Sequence, residues 1–149
     1  LLDQINRGAD VAIASRFVDQ KVRDKRSRRG ANIETTVWVH GQLSYILSAI
    51  ISRTLNRRLT DWTSGMIALR REIFHEYSLA GFYGEYFISL LNYCLNKGYR
   101  VVEVPYTLNL RELGISKTSG EGYTRLLTIG IRYIIVLVRL LYAKYFRAQ

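Results

Sequence analysis

Three short apolar runs, "ADVAIAS" (9–15), "SGMIALRR" (64–71) and "YRVVEVPYTLNL" (99–110), alternate with longer stretches whose apolar residues recur at helical spacing. Short apolar runs bounded by turn residues read as buried strands. Strands alternating with helices argue for an α/β sheet. The helical stretches are residues 1–7 ahead of a Gly8 cap, 36–55, "REIFHEYSLAG" (71–81), "GEYFISLLNYCLNKG" (84–98, ended by Gly98) and 123–146. In 36–55, Val39, Leu43, Ile46, Leu47, Ile50 and Ile51 mark one face. Pro105 implies an edge strand or a bulge. With 149 residues, 48% of them hydrophobic, the chain can bury a core, which excludes a disordered chain. "LLDQINRG" reads as the end of a helix, so the chain is expected to begin inside a fold.

In open α/β sheets ligands gather outside the carboxyl ends of the strands. The three strand ends carry Ser15-Arg16, Arg70-Arg71, and Arg111 with Lys117. Arg70-Arg71 are expected to open the next helix or to cover the surface. An arginine fork at either of the other two ends can grip phosphate oxygens bidentately, the rival reading being an exposed loop charge. Lys117, in "GISKTSG", adds a point charge beside glycines that let backbone amides approach an anion.

Net charge of +10 points to anionic partners. Nucleic acid is not expected, because the aromatics are scattered through apolar runs and form no stacking platform. Cys94 is the single cysteine, which excludes an internal disulfide and a multi-cysteine zinc site. It is expected to be inert core. Residues 16–29 hold seven Lys/Arg against two Asp and read as a basic loop.

Glu85 opens a helix, as a general base, as a partner for a substrate hydroxyl, or simply as a charge favoured by the helix dipole. The corner "DWTSG" (61–65) offers Asp61, Thr63 and Ser64 to the mouth of a buried strand, and Asp61 either closes a turn or faces the site. His40 and His75 read as structural or surface residues. The last helix has no charge-free run longer than six residues, too short to span a bilayer. Arg125, Arg132 and Arg139 repeat every seven positions along it. It reads as an interfacial helix or as a core helix with a basic outer edge. Residues 36–55 are a weaker second membrane-facing candidate, with sheet cover the rival.

"ADVAIASRF", "DWTSGMIALRR", "GFYGEYF" and "GYRVVEVPYTLNLRELGISKTS", in that order and spanning roughly 9–119, are similar to the C-terminal half of the catalytic domain of polyprenyl-phosphate glycosyltransferases. The chain most resembles the dolichol-phosphate mannosyltransferase type within family-2 glycosyltransferases. The resemblance implies a GT-A, Rossmann-like domain over 1–122 and an amphipathic membrane-interface helix over 123–149. It implies that Arg16, Ser44 and the position of His40 contact the acceptor phosphate, although the family usually has arginine where His40 stands. Arg28 or Arg29 would compensate. Arg111 and Lys117 would hold the donor diphosphate, and Asp61 and Glu85 would lie near the sugar. Mg2+ or Mn2+ is implied through an Asp-x-Asp motif. That motif is absent here and is expected in an N-terminal half supplied by a missing segment or another chain, so the isolated chain is predicted inactive.

The implied reaction is inverting transfer of a sugar, mannose or glucose, from a nucleotide-sugar to a dolichyl or undecaprenyl phosphate at the cytoplasmic face of a membrane. The alternatives are a family-2 enzyme of polysaccharide or cell-wall synthesis, and a non-catalytic basic membrane-binding module.

Overall fold

The computed structural model describes residues 1–18, 35–79, 81, 84–106 and 122–146, excepting the side chains of 35–40 and 122–127. Its elements run α1 (Leu2–Asn6), β1 (Val11–Ser15), α2 (Thr35–Thr54), β2 (Ile67–Leu69), α3 (Arg71–Glu76), α4 (Glu85–Asn96), β3 (Val101–Pro105) and α5 (Gly122–Phe146).

The sheet has the order β2-β1-β3. Every residue of β1 is buried, which explains why "VAIAS" is small and apolar throughout. β3 pairs parallel to β1, from Val11↔Val101 to Ser15↔Pro105. β2 pairs antiparallel, Val11 facing Leu69 and Ile13 facing Ile67. Pro105 ends an edge strand of this sheet, where a missing N–H breaks no ladder.

The reversal of β2 sorts the charged strand ends. Arg70 lies at the amino end of β1, where its Nε stands 3.1 Å from Asp10 Oδ1. Arg16 lies at the other end of β1, beside the carboxyl end of β3. Arg70 and Arg71 therefore belong to the start of α3, away from Arg16.

α4 buries Phe87, Ile88, Leu91, Cys94 and Leu95 at helical spacing against Val11, Ile13, Trp62 and Ile73. Gly98, at φ +82°, lets the chain leave α4 in the left-handed region. The Cys94 thiol is fully buried, and burial pushes its pKa up to about 11. It stays protonated and has no nucleophilic role.

α2 departs from its sequence pattern. Ser48, Ile51 and Leu55 turn inward, while Leu43, Ile46 and Ile50 remain about half exposed. A hydroxyl decides the rotation: Ser48 Oγ accepts the buried Trp62 N–H at 3.1 Å, which an apolar side chain would leave unpaired.

α5 has two apolar faces. Ile129 and Leu137 are buried, with Tyr133, Val136, Leu140 and Leu141 packed beside the core. Lys144 Nζ donates to the Thr54 and Leu55 carbonyls at 2.9 Å each, closing the C-terminus of α2. Ile131, Ile134, Ile135, Val138, Tyr142 and Tyr145 lie exposed on the other side. Among the described residues no helix is long and apolar enough to cross a membrane.

Candidate functional site

Where β1 ends, the side chain of Ser15 takes over from the ladder. Its Oγ accepts the N–H groups of Phe17 and Val18 at 3.3 and 3.2 Å and meets Thr60 Oγ1 at 3.2 Å. The chain thus turns out of the sheet with its backbone donors satisfied. β3 contributes Glu103. Its carboxylate accepts Thr60 N–H, Thr60 Oγ1–H and Asp61 N–H at 2.9–3.0 Å. Glu103 therefore clamps the 60–61 corner onto the strand ends.

Asp61 is completely buried. Its Oδ2 accepts Arg16 Nε–H at 2.8 Å and Arg16 N–H at 3.0 Å. Its Oδ1 accepts Arg16 Nη2–H at 2.8 Å, Thr63 N–H at 3.1 Å and Thr63 Oγ1–H at 3.3 Å. Arg16 Nη2 also donates to Thr63 Oγ1 at 2.7 Å. Ser48, from α2, meets the same Thr63 hydroxyl at 3.2 Å.

The guanidinium is fixed on three sides. Its Nε/Nη2 edge is taken by Asp61 and Thr63, and one face lies 4.9 Å from the centre of the Phe17 ring. The Nη1 group makes no hydrogen bond among the described residues. Burial works against the charge, but the hydrogen bonds and charge of Asp61 outweigh it and raise the Arg16 pKa above its ordinary value. Arg16 is thus a permanent cation, 12% exposed and held on its Nε/Nη2 edge, with Nη1 unpaired among the described residues.

Glu85 lies in the first turn of α4 and is 6% exposed. Arg132 of α5 places Nη1 3.8 Å from Glu85 Oε1. Tyr133, next along α5, packs its hydroxyl onto Gly84. Burial and the Glu85 charge push the Tyr133 pKa up to about 12, with Arg16 pulling the other way.

Of the residues singled out in the sequence, Arg16 and Asp61 are brought into direct contact. Glu85 is placed in the first turn of α4, faced by Arg132, and makes no hydrogen bond or ion pair with either of them. Ser44 lies half-buried on α2, one turn before Ser48 and on the same side of the helix. Arg111, Lys117, Arg28 and Arg29 lie outside the described residues, as do the side chains of His40 and Arg125. His75 is an exposed residue of α3.

Sequence reasoning missed Ser48, Glu103 and Tyr133. Ser48 signals itself weakly, as a hydroxyl on an apolar helix. Glu103 offers a better signal, an acid in the middle of "RVVEVP".

Asp61 has no acceptor capacity left for a cation, and Glu85 faces an arginine. Among the described residues no group of three His, Cys, Asp or Glu could hold a metal ion. The described residues do not fit the divalent metal that the family resemblance implies.

Over 125 residues the chain is 34% identical to polyprenol monophosphomannose synthase of Mycolicibacterium smegmatis, a match that covers 82% of this chain. Over 127 residues it is 32% identical to dolichol-phosphate mannosyltransferase of Pyrococcus furiosus, covering 81% of this chain. The chain is homologous to the polyprenyl-phosphate mannosyltransferases. The matches take in 43% and 32% of those two proteins, so this mannosyltransferase homologue spans less than half the length of the curated relatives it matches. No family model matches. The homology is to glycosyltransferases, and the described residues form a small α/β fold with a mixed three-stranded sheet.

Proposed function

We propose that this chain forms the acceptor side of a GT-A glycosyltransferase that moves a sugar, mannose or glucose, from a nucleotide-sugar to a polyprenyl phosphate. One observation carries the reading. A partly buried, permanently charged arginine stands at the carboxyl end of the central strand, with its Nε/Nη2 edge taken and its Nη1 making no hydrogen bond among the described residues.

A phosphate monoester has a second pKa of about 6, so the acceptor is largely dianionic at neutral pH and needs no strong base. Its oxygen attacks the anomeric carbon. The bond from that carbon to the diphosphate oxygen breaks, the nucleoside diphosphate leaves with the electron pair, and the centre inverts. Two anions must be held close together, so the work is charge compensation and orientation. Arg16 Nη1 binds the acceptor phosphate, and Ser44 and His40 are its further contacts. Arg111 and Lys117 take the departing diphosphate. Glu85 orients a sugar hydroxyl. Asp61 is a positioning residue that acts through Arg16. A divalent metal, when bound, neutralises diphosphate charge.

The exposed apolar face of α5, flanked by Arg132 and Arg139, suits a helix lying at a membrane surface, where a lipid acceptor is found. We assign residues 123–149 this interfacial role and place the enzyme peripherally at the cytoplasmic face.

The test is sugar transfer by the full-length gene product, offered a panel of nucleotide-sugars together with polyprenyl phosphate and soluble glycans. Formation of an acid-labile lipid monophosphosugar supports the reading. Transfer to soluble glycans alone would move the protein to polysaccharide synthesis. Vesicle binding without any transfer would leave it a basic membrane module.

A further inference from the structure

Glu103 stands in the middle of β3, opposite Ile13 of β1, and two sets of hydrogen bonds meet on its carboxylate. The first set is a relay of hydroxyls. Thr60 Oγ1 lies 3.0 Å from both Glu103 oxygens, and a carboxylate only accepts, so the Thr60 proton points at Glu103. Thr60 Oγ1 is then the acceptor for Ser15 Oγ–H at 3.2 Å. Ser15 Oγ in turn accepts the N–H groups of Phe17 and Val18. Every proton in the relay runs toward Glu103, an order in which each bond polarises the next. The second set is the Asp61 arm. Glu103 Oε1 accepts Asp61 N–H at 2.9 Å and Oε2 accepts Thr60 N–H at 2.9 Å. The Asp61 carboxylate then holds both the backbone N–H and the guanidinium of Arg16. The relay thus reaches Ser15 and Phe17, the chain neighbours of Arg16, and the arm reaches Arg16 itself.

Asp61 fixes Arg16 only as well as the corner that carries Asp61 is itself fixed. Glu103 ties that corner to the sheet. We propose that Glu103 is a positioning residue for the acceptor phosphate: it touches no substrate, and it sets the place of Arg16 Nη1 through Thr60 and Asp61. This rests on the reading that Arg16 binds the lipid phosphate. Small misplacements of a binding group weaken its hold on a ligand, so the support behind it counts. The residue type follows from the task. Three donors converge on Glu103, so it must offer lone pairs on both oxygens and no proton of its own. Glutamine would turn one of those oxygens into an NH2 donor that faces another N–H.

The experiment is calorimetric titration of the full-length protein with farnesyl phosphate, a soluble isoprenyl monophosphate, in the wild type, Glu103→Gln, Arg16→Lys and the double variant. Glu103→Gln is expected to weaken binding about three- to tenfold, the scale of one hydrogen bond. In the Arg16→Lys background the same change should weaken it by less than about twofold, because Glu103 acts through Arg16. A residue that only supports the fold would lower the melting temperature and leave the affinity of the folded protein unchanged, and that result would overturn the proposal. Equal losses in both backgrounds would overturn it too. If Glu103→Gln does not fold, Thr60→Val decides: it keeps the branched shape and removes the relay hydroxyl, and Thr60→Ser should restore the affinity it loses. Full affinity in folded Thr60→Val would then overturn the role of Glu103. Affinity lost in Arg16→Lys but kept in Glu103→Gln leaves the proposed function standing without this inference. A wild type that does not bind farnesyl phosphate, or Arg16→Lys that binds it equally well, would overturn both.

Discussion

Asp61 receives Arg16 through both carboxylate oxygens, at 2.8 Å to Nε and 2.8 Å to Nη2, across a sequence separation of 45 residues. The pair ties the "DWTSG" corner to the end of β1 and sets the direction in which the remaining Nη1 donor points. Removing one member of such a pair strands a buried charge, at a cost of about 3–5 kcal/mol. Arg16→Ala and Asp61→Ala should each lose stability on that scale. The double variant should lose clearly less than the sum of the two. Urea denaturation of the four proteins measures the coupling; additive losses would show that the contact has no energetic weight.

Ser48→Ala leaves the Trp62 N–H buried without its acceptor and frees one side of Thr63. The expected loss is about 1–3 kcal/mol. A change within experimental error in the same denaturation assay would mean that α2 rotates to repair the site.

The second polar cluster lies at the far end of α4 and is acid-sensitive. Tyr99 and Tyr93 donate to Glu76 Oε2 at 2.7 and 3.1 Å and hold its pKa below the ordinary 4.5. A depressed carboxylate pKa contributes stability that is fully present above pH 4.5 and is lost as pH falls through the folded value. Melting temperatures followed from pH 7 downward should therefore fall more steeply for the wild type than for Glu76→Gln. Parallel curves would remove this contribution.

α5 can be tested as a membrane surface without touching the site. Ile134 and Val138 lie on its exposed face, and Arg139 is on the Arg125/Arg132 stripe. Ile134→Ser/Val138→Ser and Arg139→Ala should each reduce flotation with vesicles containing anionic lipid, the arginine variant only at low salt. Flotation equal to the wild type in both would leave the exposed face without a lipid role.

What the sequence made legible were the local patterns. β1 was plain from the short apolar run "ADVAIAS", Gly98 ends α4 as its position implies, and Pro105 lies at the edge of the sheet formed by the described residues. The long-range facts were not legible. Helical spacing in α2 suggested that Leu43, Ile46 and Ile50 face the core, but one buried N–H on Trp62 turns Ser48 inward instead. The local pattern around Asp61 favours a turn, and only the family resemblance draws it to the site. The saturation of Asp61 by Arg16 is a tertiary contact that no local pattern encodes. Tyr133 was hidden because its helix is apolar on two sides, and only packing on α4 decides which side is inner.

The most direct measurement is the steady-state kinetics of the full-length enzyme with Arg16→Lys, varying polyprenyl phosphate and nucleotide-sugar separately. Lysine keeps a charge opposite Asp61 but has no second group to offer a phosphate. The expected result is an acceptor KM raised roughly tenfold or more, as for a lost charged hydrogen bond, with the donor KM nearly unchanged. An unchanged acceptor KM, or a rise confined to the donor, would contradict the assignment of Arg16 to the lipid phosphate.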